Sequence, residues 1–489
     1  MANDRLKEFY PIFYPKSIAV IGASADPTKF GGGFLGALLN FGYKGALYPV
    51  NPEGSEILGL KMYPNVRDIP EPVDLAHIMV PARVVPTVLE DCVQKGVKGV
   101  QIFTAGFTET GTEEGKRLEE EITRISKKGL RIIGPNCFGV YCPAGGLTLL
   151  PGYDFPKESG NVAFISQSGG HSAEFAQMAR SRGIRFSKIV SYGNASDINE
   201  ADLIEYLAQD PDTEIITAYL EGTRDGRRFF EAVRSISKTK PVIIWKGGLT
   251  GAGARAVKSH TGSLGGEEEI WGGLFKQGGV IRAQNLEEII DTVVALLNLP
   301  PDTSRRIGMV GGGGGISVAA ADVYDRVGLE VPVLAQERQD ELRTFLPLAG
   351  TSVRNPVDVG GPAMPPEIFN RVLEITAGDD NMGTIVVMQA AYYILGAAGK
   401  GAIQEMSPEV VQQLIELPLG VKNKFSKPVV IVLPLGPTDA ELANIEGERR
   451  KVRDYYTSVG IPSYPTLERA ARAISNVVKY HQMVGRGDA

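Results

Sequence analysis

Short β-branched runs that end on glycine or serine, each followed by a helical pattern, recur along this chain and restrict its fold more than any other feature. Residues 16–22 (KSIAVIG) run into a loop and then a helical stretch at 33–41. Residues 46–50 (ALYPV), 75–80 (LAHIMV), 99–103 (GVQIF) and 131–133 follow, with helical patterns at 86–95 and 113–127 between them. Strands that are apolar throughout must be covered on both faces, which a parallel sheet with crossover helices achieves. The first segment is therefore expected to be Rossmann-like.

A Gly/Pro-rich stretch at 142–160 has little periodicity and reads as a linker. The alternation restarts at 161–166 (NVAFIS), 187–191, 214–220 (EIITAYL) and 241–246 (PVIIWK), closing with a strand at 280–282 and a helix at 285–297. A second break at 298–305 leads into 307–310 and the glycine run 311–315. The last third resembles the middle third in order and spacing. Lys240-Pro241-Val242-Ile243-Ile244 reappears as Lys427-Pro428-Val429-Val430-Ile431, and Gly279-Val280 before a helix reappears as Gly460-Ile461 before a helix. Two flavodoxin-like α/β domains from one duplication are expected, with chance likeness between generic α/β units as the alternative. The expected division is 1–145, 146–300 and 301–489.

Composition narrows the function. The net charge of −6 offers no basic face for nucleic acid or an anionic membrane, so neither is an expected partner. Three cysteines, Cys92, Cys137 and Cys142, make no disulfide framework, and Cys137 and Cys142 lack the partners of a zinc site; no metal ligands are expected on this chain. No apolar run approaches a membrane span and the N-terminus has no apolar core of a signal, so a soluble cytoplasmic protein is expected. Glycine is the unusual component, 59 residues of 489 against an average of about 7%. It gathers beside the apolar strands, as in loops that hold ligands with backbone.

Three strand ends run through glycine into a helix: Ile21-Gly22-Ala23-Ser24, Ser166-Gln167-Ser168-Gly169-Gly170, and Val310 to Gly315. Such turns present backbone N–H groups and a positive helix end, which suit phosphate or carboxylate. The first turn departs from the G-x-G-x-x-G dinucleotide pattern. The second strand ends Tyr48-Pro49-Val50-Asn51-Pro52, without the acid that holds a nicotinamide dinucleotide's ribose. NAD is thereby disfavoured, and coenzyme A remains open as a phosphate-bearing nucleotide. The competing reading is that these glycines only let helices pack against strands. The chain contains no GxxxxGK[ST] loop for ATP.

Of the four histidines, His77 lies inside an apolar strand and reads as a hydrogen-bonded core residue, and His481 sits near the polar C-terminal end. His171 begins the helix after the second glycine turn, equally suited to lining a pocket or a helix start. His260 lies within 247–266 (GGLTGAGARAVKSHTGSLGG), which reads as a mobile glycine-rich loop, and the second copy has no histidine in the matching stretch. Glu221 closes the strand EIITAYL, where α/β folds place ligands; the matching strand of the last third, GTIVVMQAA, has no carboxylate there. A carboxylate can orient an imidazole and leave its other nitrogen nucleophilic, so His260 could attack phosphorus while amides of Ser168, Gly169 and Gly170 hold the phosphoryl oxygens. The plain alternative for Glu221 is a turn-capping residue.

Taken together, GPNCFG (134–139), SQSGG (166–170), YLEG (219–222) and SHTGSLGG (259–266) make the chain resemble, over its whole length, the α subunits of nucleoside-diphosphate-forming acyl-CoA synthetases (acetate–CoA ligase, ADP-forming), relatives of succinyl-CoA synthetase α. The resemblance implies that carboxylic acid, CoA and ATP are interconverted with acyl-CoA, ADP and phosphate through an acyl phosphate and a phosphohistidine. It implies His260 as the phosphorylated histidine and Glu221 as the residue that steadies it. Ser168, Gly169 and Gly170 would hold phosphate at the acyl site, with Asn136 and His171 beside it. CoA would lie on Gly22, Ala23, Ser24, Val50, Asn51, Pro52, Val80 and Pro81. ATP or ADP with Mg2+ would be bound mainly by an ATP-grasp β subunit in an α2β2 assembly, since no ATP-grasp domain is recognised here. Members of the family carry small or aliphatic residues after SQSG, where this chain has Gly170-His171-Ser172; a larger or more polar acid than acetate is the expectation. The rivals are an acyl-CoA-binding regulatory protein that kept this fold without turnover, and a nicotinamide-dependent dehydrogenase.

Overall fold

The computed structural model describes residues 4–26, 29–53, 56–261, 267–347, 349–360, 364–389, 407–435 and 443–485, in two compact units spanning 1–289 and 290–489. In the first unit, the chain forms β1 (Ser17–Ile21), β2 (Ala46–Val50), a short hairpin of β3 (Glu56–Ile57) and β4 (Leu60–Lys61), β5 (Leu75–Ile78), β6 (Gly99–Ile102) and β7 (Arg131–Ile133). Outside the hairpin these strands make one parallel sheet in the order β2-β1-β5-β6-β7. The apolar runs do what their composition requires: β1 and β5 are buried at every position.

The second sheet of this unit contains β8 (Gly139–Tyr141), β9 (Val162–Ser166), β10 (Phe186–Ser191), β11 (Ile215–Leu220), β12 (Val242–Lys246) and β13 (Ile281–Ala283), ordered β13-β12-β11-β9-β10-β8. Strands β9 to β13 run parallel in the doubly wound order of flavodoxin-like folds, and β8 adds antiparallel to the edge strand β10. No sequence signal marked β8. The stretch expected to be a linker is packed, because Leu147, Leu149 and Phe155 are buried and Tyr141 Oη donates to the Pro156 carbonyl at 2.5 Å.

The helices of this unit are α1 (Asp4–Phe13), α2 (Phe30–Phe41), α3 (Val85–Lys95), α4 (Glu113–Ser126), α5 (Gly169–Arg180), α6 (Glu200–Gln209), α7 (Gly226–Ile236), α8 (Gly251–Thr261) and α9 (Glu268–Gly278). Helix α1 joins the two sheets: Phe9 and Phe13 stack on Tyr206 of α6 at 5.0 and 4.6 Å. Helix α8 replaces the loop expected at 247–266 over Gly251–Thr261. Alanines alternate with the glycines there, Thr250 Oγ1 accepts from Gly253 N at 3.0 Å as an N-cap, and Val257 is buried, which suffices to wind the stretch.

His77 is buried as expected, but neither ring nitrogen has a hydrogen-bond partner among the described residues. Its ring instead packs edge-on against Phe34 and Phe103, and burial pushes its pKa down to about 3.

The second unit carries β14 (Ile307–Gly311), β15 (Thr384–Met388), β16 (Val429–Val432) and β17 (Ser463–Tyr464) in one parallel sheet, in that order. Compared with the second sheet of the first unit, the second strand of the pattern is reduced to isolated bridges, Arg306 with Glu330 and Val310 with Val357. The repeat extends to side chains. Lys240, just before β12, donates to the Leu207 and Asp210 carbonyls at 2.9 and 2.8 Å. Lys427, just before β16, donates to the Ala377 and Asp379 carbonyls at 2.7 and 2.8 Å.

Candidate active site

Parallel order brings the carboxyl ends of β2, β1 and β5 side by side, and the residues expected to hold CoA lie there together. Gly22 follows β1 with φ +92°, and a Cβ on it would lie 2.6 Å from the Met79 carbonyl oxygen, so only glycine fits. Its N–H donates to the Val50 carbonyl at 2.9 Å. Asn51 Nδ2 donates to the buried Ala23 carbonyl at 2.7 Å, and Ser24 Oγ accepts from Asp26 N at 3.1 Å. Pro52 and Pro81 are exposed at the rim, and Thr104 Oγ1 donates to the Val80 carbonyl at 2.6 Å. Close packing is part of the glycine requirement, since a Cβ on Gly31 of α2 would lie 2.1 Å from the Gly22 carbonyl oxygen.

Thr104 also links this turn to Asn136, whose N–H donates to the Thr104 carbonyl at 3.0 Å. Asn136 adopts φ +56°, a conformation asparagine tolerates, and its Nδ2 lies 3.4 Å from Asn194 Oδ1. Phe138, from the same motif, donates its N–H to Ser191 Oγ at 3.0 Å. Its ring lies so close to Gly169 that a Cβ there would sit 2.7 Å from it. The GPNCFG and SQSGG motifs are thus packed against each other.

Ser168 caps α5: its Oγ accepts from His171 N at 3.3 Å, leaving the first-turn amides of Gly169 and Gly170 at the positive end of the helix. Gln167 turns the other way, its Oε1 accepting from Glu221 N at 2.5 Å and Gly222 N at 3.1 Å. Glu221, buried beyond the end of β11, is therefore fixed by the same turn that presents those amides. Tyr219 Oη donates to Glu221 Oε1 at 3.2 Å, and burial together with that carboxylate drives the phenol pKa upward. The His171 ring stands edge-on to Tyr219 at 4.5 Å and tilted against Trp245 at 5.0 Å, with Nδ1 3.6 Å from Glu174 Oε2.

After Glu221 the chain is held by Glu200, which accepts from the Thr223 hydroxyl and from Arg224 N at 2.9 Å. Burial raises the Glu200 pKa, opposed by those hydrogen bonds. His260 falls on α8, and its side chain, like all of residues 262–266, lies outside the described residues.

Profiles described as a CoA binding domain and a succinyl-CoA ligase like flavodoxin domain match residues 16–143 and 159–296. The chain is 38% identical over 484 residues to the ADP-forming acetate–CoA ligase I subunit alpha of Pyrococcus furiosus, covering 96% of this chain and 97% of that one. It belongs to the ADP-forming acetate–CoA ligase α-subunit family. A longer relative, the ADP-forming acetate–CoA ligase of Methanocaldococcus jannaschii, is also 38% identical, over 98% of this chain and 64% of its own length. Among solved structures, the dinucleotide forming acetyl-coenzyme A synthetase 1 of Ca. Korarchaeum cryptofilum, in complex with phosphate and ADP, superimposes with a TM-score of 0.82. It is 33% identical, covering 98% of this chain and 99% of that one.

For this member of the family, sequence reasoning assigned no role to Thr104, Gln167, Asn194, Tyr219 or Lys246. Gln167 and Tyr219 stand inside motifs already singled out, so their neighbours were a usable signal. Asn194 had none: it joins Asn136 to Glu109 and Glu119, donating to their carboxylates at 2.6 and 2.9 Å across 85 and 75 residues of chain.

Proposed function

We propose that this protein is the catalytic α subunit of an ADP-forming acyl-CoA synthetase. In the direction of ATP synthesis, a phosphate oxygen attacks the thioester carbonyl and the C–S bond breaks, giving acyl phosphate and CoA. A ring nitrogen of His260 attacks the phosphorus and the acyl carboxylate leaves. ADP then attacks the phosphohistidine, breaking the P–N bond to give ATP and the free imidazole. In this reading, Gly22, Ala23, Ser24, Val50, Asn51, Pro52, Val80 and Pro81 receive CoA. Ser168, Gly169 and Gly170 hold the phosphoryl oxygens beside Asn136 and His171. Glu221 accepts the proton of the other imidazole nitrogen.

The observation that carries the reading is the end-to-end likeness to a protein named as a subunit of such a ligase. The packing of the SQSGG turn against both Glu221 and the Asn136 motif supports it. Relatives bearing ligase names favour turnover over a purely regulatory role. The reading includes a partner: an ATP-grasp β subunit that binds the nucleotide with Mg2+, in an α2β2 assembly. It also includes three domains, at 1–145, 146–300 and 301–489, and a cytoplasmic location; among the described residues no helix is long and apolar enough to cross a membrane.

The test incubates the protein and its partner with radiolabelled phosphate and a panel of acyl-CoAs from acetyl to aryl-acetyl, because His171 rests on Tyr219 and Trp245 beside the turn. Acid-labile label lost in His260→Ala is expected. Label that persists in that variant refutes the assignment.

A further inference from the structure

Lys246, the last residue of β12, is only 4% exposed, and the reaction above gives it no task. Its ammonium donates to the Glu221 carbonyl at 2.8 Å and to the Gly247 carbonyl. It also lies 5.0 Å from the centre of the Trp271 ring. These three contacts have one thing in common. Gly247 is where the chain leaves the sheet toward His260, and Trp271 is a buried residue of α9, the helix to which the chain returns afterwards. Glu221 is the carboxylate proposed to face the imidazole. One charged group therefore grips both roots of the His260-bearing segment and the backbone of its proposed partner.

We propose that Lys246 is a positioning residue that pins both roots of the segment carrying His260 to the Glu221 strand end, so that the backbone on either side of that segment is fixed relative to Glu221. The inference deepens the reading above and rests on it for the role of His260. Chemistry favours an ammonium here over a neutral donor. It has three N–H groups, two for the Glu221 and Gly247 carbonyls and one toward an indole face, and cation–π attraction grows where water is excluded. Gly247 N donates to the Leu220 carbonyl at 2.8 Å, so the root is held from both sides.

Burial also pulls the Lys246 pKa down to about 8, with Glu221 acting the other way. The charged group acting on the ammonium is the Glu221 carboxylate just beyond β11, with the Tyr219 phenol on that strand; α9 presents the uncharged indole. Neutralisation weakens all three contacts, so the grip loosens as pH rises through about 8.

The experiment compares full-length wild type, Lys246→Met and Lys246→Arg by amide hydrogen exchange of peptides covering 247–261, by CoA titration and by phosphohistidine labelling with the partner subunit present. Lys246→Met is expected to speed exchange at 247–261 at least tenfold and to cut label at least tenfold, with CoA affinity within twofold of wild type. Lys246→Arg, which keeps the charge, should recover most of both, and should lose the wild-type fall in label above pH 8. Unchanged exchange in Lys246→Met overturns the proposal, as does faster exchange spread over the whole first unit together with lost CoA binding. If wild type takes no label, the His260 reading fails, while the exchange measurement still decides whether Lys246 is a pin.

Discussion

His77 makes a quantitative prediction about acid stability. Its ring is 2% exposed and packed edge-on against Phe34 and Phe103 with centroids 5.1 and 5.6 Å away, and neither nitrogen is bonded among the described residues. Nothing in that pocket stabilises an imidazolium, so the folded pKa falls to about 3 from the ordinary 6.5. The unfolded chain takes up the proton near pH 6.5 while the folded chain refuses it until about 3. Stability is therefore complete above pH 6.5 and drains away as pH falls toward 3. At pH 4.5, two units below the unfolded value, the loss is about 3 kcal/mol, since each unit is worth about 1.4 kcal/mol.

The perturbation is His77→Leu, which fills the same apolar site without a titrating group. Urea unfolding followed by tryptophan emission reports on the right unit, because Trp245 and Trp271 both lie within residues 1–289. Between pH 7 and pH 4.5, wild type should lose about 3 kcal/mol more than the variant, the carboxylates common to both cancelling in the difference. At pH 7 the variant should be as stable as wild type or more so, since two unpaired buried nitrogens have gone. Equal acid sensitivity in the two proteins would show that the imidazole is satisfied in the fold and refute the argument.

Three further outcomes are expected. Gly22→Ala places a Cβ 2.6 Å from the Met79 carbonyl oxygen at φ +92°, so it should cost about 1–3 kcal/mol and weaken CoA binding at least tenfold by calorimetry. Asn194→Ala leaves the Glu109 and Glu119 carboxylates without their shared donor and should cost about 2–3 kcal/mol in urea unfolding; Asn194→Asp, which adds a third carboxylate, should be worse. Lys240→Met and Lys427→Met remove matching carbonyl contacts in the two copies, and each should destabilise its own unit by about 1–3 kcal/mol. Tryptophan emission reads the first, and amide hydrogen exchange of peptides from 290–489 reads the second.

The parallel sheets, the glycine turns after β1 and β9 and the strand-end position of Glu221 were all legible in the sequence, because each depends on residues within a few positions of one another. β-Branched runs such as SIAVI and VAFIS declare buried strands, and a glycine at a strand end declares a turn that side chains would block. The repeat was legible for the same reason, and the paired lysines Lys240 and Lys427 show that the likeness extends to contacts. Local signals misled at 247–266, where glycines suggested a loop although alternating alanines and the Thr250 cap wind a helix over Gly251–Thr261.

Strand order decided the rest. Lys246 acquired its contacts only when β12 came to lie beside β11, which put its ammonium on the Glu221 carbonyl. Asn194 acquired its role only when residues 75 and 85 positions away in the chain arrived at the same place. His77 was recognisable as buried, but whether its nitrogens found partners depended on Phe34 and Phe103 arriving from elsewhere in the chain. Periodicity and turn chemistry are properties of a short segment and can be read along it; which carbonyl meets which ammonium is a property of neighbours that only the folded sheet brings within reach.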